Sequence, residues 1–527
     1  MEDHLQSSPR DGGDQDSRRG EDSHWQRRDQ AGRQRGQARL RGDGRRSAQA
    51  PGQRRRVADA PRNAAFDVLR QVEASDAYAN LVLPPLLRER RIEGRDAAFA
   101  TELTYGTLRL RGRYDAIIAR CIDQRTIADL DRPLLDVLRL GAHQILSMRV
   151  PPHAAVSETV ALTRDRIGVG AGQFANAVLR RITEKPSAQW LDELRAEAAG
   201  PLAAEAVVAS HPLWIARALR DALAADGRDP DELGALLAAD NAAPRVTLVA
   251  RPGLVTADEL ERQALRSRVT LEPGRWLEQA WIIASGDPGR LWAVRDGRAG
   301  VQDEGSQIVA LALAVAPLLD EGGAPGGSDR RWLDLCAGPG GKAALLGAVA
   351  AQRGAELTAN ELQPHRADLV ADSVQAVPSR ALERLRVGDG REVGTEQPGA
   401  FDRVLVDAPC TGLGALRRRP ESRWRRQPAD VPTLARLQRE LLTSALQATR
   451  PGGVVAYVTC SPHLAETRQV VDAVLADNRF PAERLDAPAV VASVVGPPLE
   501  LGGGPDVQLW PHVHGTDAMH LSLLRRR

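Results

Sequence analysis

Beyond about residue 300 the chain alternates short apolar runs with helix-length stretches, and each run closes on acidic, thiol-bearing or glycine-rich residues. Runs at 332–335, 356–359, 385–387, 403–407 and 454–459 have the length and apolar content of strands. Helical segments between them predict a mainly parallel, doubly wound α/β sheet of the Rossmann-like kind. Ligands on such sheets lie at the carboxyl ends of the strands, which is where the informative residues fall. This region is under half of the 527 residues, so a multi-domain chain is expected.

The remainder divides by composition. Residues 1–57 are rich in Arg, Asp, Gly, Gln and Ser and nearly lack aliphatic side chains. Such a tail buries too little apolar surface to offset its ordering entropy, so it is expected to be disordered. Its arginines suit loose contacts with RNA phosphates, or solvation alone. Residues 58–186 carry a helical period, with Leu135, Leu138, Ala142 and Ile145 on one face. No strand signal interrupts them, and an all-α domain is expected. Residues 187–299 continue as Ala-rich helix and then alternate at 244–250 and 281–284, which predicts a small α+β connector.

Charge nearly balances, with 71 basic against 69 acidic residues, so no whole-molecule field announces a nucleic-acid partner. Every basic residue is arginine except Lys185 and Lys342. Lys342 closes a glycine-rich string, where a compact point charge differs most from a guanidinium fork; the other reading is a chance survivor at a helix start. The four cysteines, Cys121, Cys336, Cys410 and Cys460, are too few for a secreted disulfide scaffold. Nothing in their spacing suits a metal. There is no apolar leader and no run long enough to span a bilayer. A reduced, cytoplasmic protein without metal or membrane is expected.

The string Asp334-Leu335-Cys336-Ala337-Gly338-Pro339-Gly340-Gly341-Lys342 follows one apolar run and opens a helix. Glycines let the backbone approach a ligand, and a helix start presents free N–H groups. Glu361 follows the next strand, where a carboxylate can bind ribose hydroxyls. Asp389, after the third strand, is suited to accept from an adenine amino group. The loop departs from the G-x-G-x-x-G of nicotinamide sites, and the ordered set suits S-adenosylmethionine. The alternative is structural, with Glu361 capping a helix beside Asn360 and Asp389 holding a tight turn.

Two thiols close two further runs, in Asp407-Ala408-Pro409-Cys410 and Val458-Thr459-Cys460-Ser461. A lone cysteine after a strand is most often a small buried hydrophobe, and Cys121 and Cys336 are read that way. Two in matched strand-end positions point to covalent methyl transfer. A thiolate adding to carbon 6 of cytosine makes carbon 5 nucleophilic enough to accept a methyl group. A base then removes the carbon-5 proton and the thiolate leaves. Asp407 is suited to hydrogen-bond the edge of the ring. A base stacked in a helix must first be unstacked or flipped. Spacing does not decide which thiol attacks.

The glycine string, Asp407-Ala408-Pro409-Cys410-Thr411-Gly412 and Thr459-Cys460-Ser461-Pro462 resemble the RNA cytosine-5 methyltransferase family. Residues 104–109, 138–144 and 174–181 resemble the NusB-like antitermination fold, a helical RNA-binding domain. Together they make the chain after its tail similar to the bacterial Sun/RsmB type, which methylates a cytosine of 16S rRNA. The expected organisation is a tail (1–57), a NusB-like domain (58–186), a connector (187–299) and a methyltransferase domain (300–527).

The resemblance implies Cys460 as nucleophile and Cys410 as the thiol that helps release product, with Asp407 and Lys342 beside them. It implies that Cys336, Ala337, Gly338, Pro339, Gly340, Gly341, Lys342, Glu361, Asp389 and Asp407 line S-adenosylmethionine. Residues 300–306 also fit a family motif. The run Arg417-Arg418-Arg419-Pro420-Glu421 resembles a substrate-side loop; its other reading is a solvated charge run. Gly515-Thr516-Asp517-Ala518-Met519 departs from the family's usual ending, which leaves the C-terminal contacts open. The expected partner is RNA, either 16S rRNA or an assembling small subunit, bound by a monomer, with no DNA. Rival expectations are a tRNA cytosine-5 methyltransferase and an RNA-binding factor carrying an inactive methyltransferase fold.

Overall fold

The helix Arg132–Leu146 buries Leu134, Leu135, Val137, Leu138, Leu140 and Ala142, so apolar neighbours must surround it. In the computed structural model, which describes residues 59–527 apart from 76 and 321, it packs against the helices Ala60–Ser75, Gly94–Arg109, Arg111–Cys121, Pro152–Arg166 and Val169–Thr183. Small residues set the crossings. A Cβ on Gly106 would lie 2.2 Å from the His143 ring, and one on Gly141 would lie 2.5 Å from Leu179. The motif-like strings of this region are thus largely core, with Thr104, Thr107, Arg139, His143 and Gln144 all buried. The Arg-rich tail expected to be disordered lies outside the described residues.

Four further helices, Ser187–Glu197, Pro201–Val208, Leu213–Ala225 and Leu233–Asn241, lead into a small antiparallel sheet. Its strands are β1 (Val246–Ala250), β2 (Thr270–Pro273), β3 (Ala280–Ser285) and β4 (Ala299–Val301), in the order β2-β3-β1-β4.

The large sheet contains β5 (Arg331–Asp334), β6 (Glu356–Glu361), β7 (Leu382–Val387), β8 (Phe401–Asp407), β9 (Thr449–Thr459), β10 (Ala482–Arg484), β11 (Val507–Gln508) and β12 (His520–Arg526). Its path runs β10-β12-β9-β8-β5-β6-β7, with β11 paired to β12. The five strands from β7 to β9 are mutually parallel, as expected. Helices Glu304–Val315, Gly341–Arg353 and Pro364–Val374 pack on one face. Helices Gly390–Glu396, Asp430–Ala448 and Arg468–Asp477 pack on the other. The order reverses direction around β5, so the carboxyl ends of β5 and β8 open onto one cleft. Among the described residues, no helix is long and apolar enough to cross a membrane.

Three strands beyond residue 459 escape the sequence pattern. β12 runs antiparallel to β9 along Thr459–Val454 and to β10 on its other side. Both faces of β12 are covered, so His520, Leu521, Ser522 and Leu523 are all buried, although polar and apolar side chains alternate over these four residues. β9 also begins earlier than its apolar run, because Pro451-Gly452-Gly453 hides its first residues.

The basic run 417–419 is not a solvated face. Arg417 pairs with Asp303 at 2.9 Å and with Asp517 at 2.8 Å, and Arg418 contacts the same two carboxylates. The divergent ending 515–519 thereby gains a definite contact. Further along, Glu421 accepts from the Ala79 N–H at 2.9 Å. Arg425 donates to the Val72 and Ala77 carbonyls at 2.6 Å. Arg423 is fully buried and donates to the carbonyls of Arg109, Ser210 and Asp240 and to Asn241 Oδ1. The segment after Cys410 is therefore bolted into the helical array.

Candidate functional site

Every chemically distinctive residue of the cleft sits at or just past a strand end. Asp334 closes β5, Glu361 closes β6, Asp407 closes β8, and Cys460 follows β9. Parallel strands end side by side, so residues far apart in sequence are delivered to one rim.

The glycine loop is sewn to β6. The Ala337 N–H donates to the Asn360 carbonyl at 2.8 Å, and Asn360 Nδ2 returns to the Leu335 carbonyl at 2.9 Å. The Gly338 N–H donates to Glu361 Oε2 at 3.0 Å, while Arg366 and Ser373 bond the carbonyls of Gly338 and Pro339. Only glycine fits this approach: a Cβ on Gly338 would lie 2.3 Å from Glu361 Oε2, and Gly340 has φ +105°. Gly341 and Lys342 then begin the helix Gly341–Arg353 with no side chain capping it, which leaves N–H groups facing the cleft.

Lys342 Nζ donates to Asp407 Oδ2 at 2.8 Å. Burial opposes the ammonium charge, but Asp407 outweighs it and holds the group above its ordinary value. Asp334 is fully buried nearby, and neither of its oxygens finds a well-formed hydrogen bond. Burial, with Asp407 adding repulsion, pushes its carboxyl up to about 7.

The two thiols lie together: Cys410 Sγ and Cys460 Sγ are 3.4 Å apart, both half-buried. The hydrogen bond between the two thiols holds Cys460 below its ordinary value against burial and Asp407, with Lys342 and Arg419 assisting. The same bond, with burial and Glu466, holds Cys410 well above. The two thiols thus differ in their surroundings: Cys460 is faced by Asp407, Lys342 and Arg419, and Cys410 by Glu466.

The other predicted positions are placed as follows. Cys336 packs against the core on one face of the sheet, and burial pushes its thiol well above the ordinary range. Cys121 lies in the helical core, away from this cleft, and burial pushes it up to about 11. Glu361 is engaged by the N–H groups of Gly338 and Gln363 and does not cap a helix. Asp389 does cap the helix Gly390–Glu396, accepting from the Arg391 N–H at 2.9 Å. The Arg391 guanidinium also grips it and holds its carboxyl below the usual range.

Two functional candidates were missed from sequence. Asp334 was quoted only as part of a string. Glu466, in the short turn Leu464–Glu466, is fully buried between the two cysteine loops. The one available signal was an acid six residues past a strand-end cysteine, which is too common to single out.

Comparison with known proteins agrees with this layout. Residues 324–525 match the model of the family described as 16S rRNA methyltransferase RsmB/F, and residues 59–184 match that of the NusB family. A protein named as a methyltransferase in Mycobacterium tuberculosis (strain H37Rv) is 54% identical over 476 residues, spanning 90% of this chain and 98% of its own length. The ribosomal RNA small subunit methyltransferase B of Pseudomonas putida (strain KT2440) is 30% identical over 427 residues, 80% of this chain and 90% of that protein. The crystal structure of PH0851 superposes with a TM-score of 0.71 at 21% identity, covering 89% of this chain and 99% of that one; this is a likeness of fold.

Proposed function

Because the chain belongs to the RsmB family of ribosomal RNA small subunit methyltransferases, we propose that it methylates carbon 5 of a cytosine in 16S rRNA through a covalent cysteine adduct. The observation that carries this reading is the pair of thiols 3.4 Å apart beside the Lys342–Asp407 ion pair. A binding module has no use for two thiols held in contact beside an ion pair.

The cleft fits S-adenosylmethionine. Its glycine cradle admits no Cβ at Gly338, and Asp334 offers two unsatisfied carboxylate oxygens at the floor, suited to a cationic ligand. Gly338–Lys342, Glu361 and Asp389 would hold the cofactor. When bound, S-adenosylmethionine supplies an electrophilic sulfonium methyl group.

The chain's own residues supply the rest. Lys342 favours the Cys460 thiolate, which adds to carbon 6 of the cytosine and sends the ring's electron pair toward carbon 5 and the ring edge. Asp407 hydrogen-bonds that edge. After carbon 5 is alkylated a base must take its proton; Cys410 would do so once its own S–H proton has passed to the ring edge or to water during the addition of Cys460. The Cys460–carbon 6 bond then breaks and the double bond re-forms. The NusB-like array would hold flanking RNA.

The test compares wild type, Cys410→Ala and Cys460→Ala, each incubated with S-adenosylmethionine and a 16S transcript and run on a denaturing protein gel. A protein–RNA adduct should accumulate in Cys410→Ala and be absent in Cys460→Ala. The reverse pattern would exchange the two roles. Methyl transfer to a tRNA transcript and none to 16S RNA or small subunits would replace the substrate. Absence of both adduct and transfer on every RNA would sink the reading.

A further inference from the structure

Among the described residues, Glu466 is a fully buried carboxylate that touches the residues following Cys410 and Cys460. Its Oε1 accepts from the Thr411 N–H at 2.8 Å and from Gln438 Nε2 at 3.2 Å. Its Oε2 accepts from Ser461 Oγ at 2.7 Å and from Thr411 Oγ1. Thr411 follows Cys410, and Ser461 follows Cys460. The two hydroxyls also meet each other at 3.0 Å. Gln438 reaches on to the Pro409 carbonyl at 2.8 Å, and Tyr457 donates to the Glu466 carbonyl at 2.7 Å. One side chain thus ties the loop after β8, the loop after β9 and the helix Asp430–Ala448.

A buried carboxylate costs several kcal/mol unless its oxygens are satisfied. Here the donors that satisfy it are the backbones and hydroxyls that carry the thiols. A carboxylate kept only for packing would not need both cysteine loops as its partners.

We propose that Glu466 is the positioning residue of the thiol pair: it fixes the contact between Cys410 and Cys460 and keeps their roles from exchanging. This rests on the two-thiol reading above. The groups facing the pair are unevenly spread. Cys460 is faced by Asp407 from β8, Lys342 from the helix Gly341–Arg353 and Arg419 from the loop beyond Cys410. Cys410 is faced by Glu466 and by the Gly412 N–H. The contact with Cys460 and burial, with Glu466 adding to them, hold the proton on Cys410, and Glu466 fixes that contact through its bonds to Thr411 and Ser461.

The test needs neither RNA nor cofactor, so its result is independent of the substrate assignment. Full-length protein is alkylated with iodoacetamide across a pH series, and the peptides bearing Cys410 and Cys460 are followed by mass spectrometry. In wild type Cys460 should react at lower pH than Cys410. In Glu466→Ala the two profiles should converge, Cys460 moving up and Cys410 down. Methyl transfer should fall about 10²-fold, the effect of a misplaced reacting group, with S-adenosylmethionine affinity kept. Glu466→Gln, which keeps the size and some of the bonds, should lie between. Wild-type profiles for both thiols in Glu466→Ala would overturn the proposal, whatever happens to turnover. Should that variant fail to fold, Ser461→Ala and Glu466→Gln decide: profiles superposing on wild type overturn it, and convergence supports it.

Discussion

Lys342→Met should lower methyl transfer by about 10³-fold, the effect of removing a preorganised charge from a site where charge develops. In the cleft Lys342 is bonded to Asp407 at 2.8 Å, while Asp334 lies buried without a partner. Deleting the ammonium leaves Asp407 unopposed to repel the thiolate that the proposed reaction needs at Cys460. The sign on the pH profile follows. Lys342 favours the ionised thiol, so its loss raises the Cys460 ionisation, and the acidic limb of the rate should move to higher pH. Lys342→Arg keeps the charge but replaces a point with a planar fork, and should still cost more than about tenfold. Initial rates with labelled S-adenosylmethionine, taken across pH on a single transcript, check both variants. Unchanged turnover in Lys342→Arg would remove this lysine from the site.

Arg423→Ala should destabilise the fold by about 3–5 kcal/mol, the range for breaking a buried charged group out of its partners. Its guanidinium is fully buried and bonded to three carbonyls and one amide oxygen. Burial already presses its ionisation down to about 10, so the site tolerates the charge only because those acceptors surround it. Removal leaves the acceptors unsatisfied and takes from Asp240 the foremost of the cations that offset its burial. Arg423→Lys should lose less, since three donors recover part of the network. Urea unfolding with limited proteolysis reads the result. The expected pattern is an earlier transition together with new cleavage near the Ser210 turn. An unfolding midpoint equal to wild type would mean the segment does not bolt the two halves together.

The strand ends were legible because parallel strands buried on both faces read as apolar runs, and the residues after them must face the cleft. Asp407, Cys410 and Cys460 were found that way. What could not be read is which of these residues touch. The Lys342–Asp407 pair joins positions 65 apart, and the bonds of Glu466 span 55 and 28 residues. Such contacts depend on strand order, which no local period encodes. Arg423 was hidden for another reason. Where nearly every basic residue is arginine, one that is buried looks like those that are solvated. The last strands were lost because β10 and β11 are only three and two residues long, and the alternation of β12 covers four residues before its arginines.

The bolt at Arg423 also sets a length. The chain that leaves Cys410 is anchored in the helical half within thirteen residues, with no slack between the anchor and the thiols. The molecule is therefore a caliper whose jaws are the NusB-like array and the cysteine pair. On the proposed function, an RNA held by the first would have to present its cytosine to the second across a constant gap. Adding or removing a nucleotide between the two contacts would be met by no hinge of the protein, and only the fold of the RNA could absorb it.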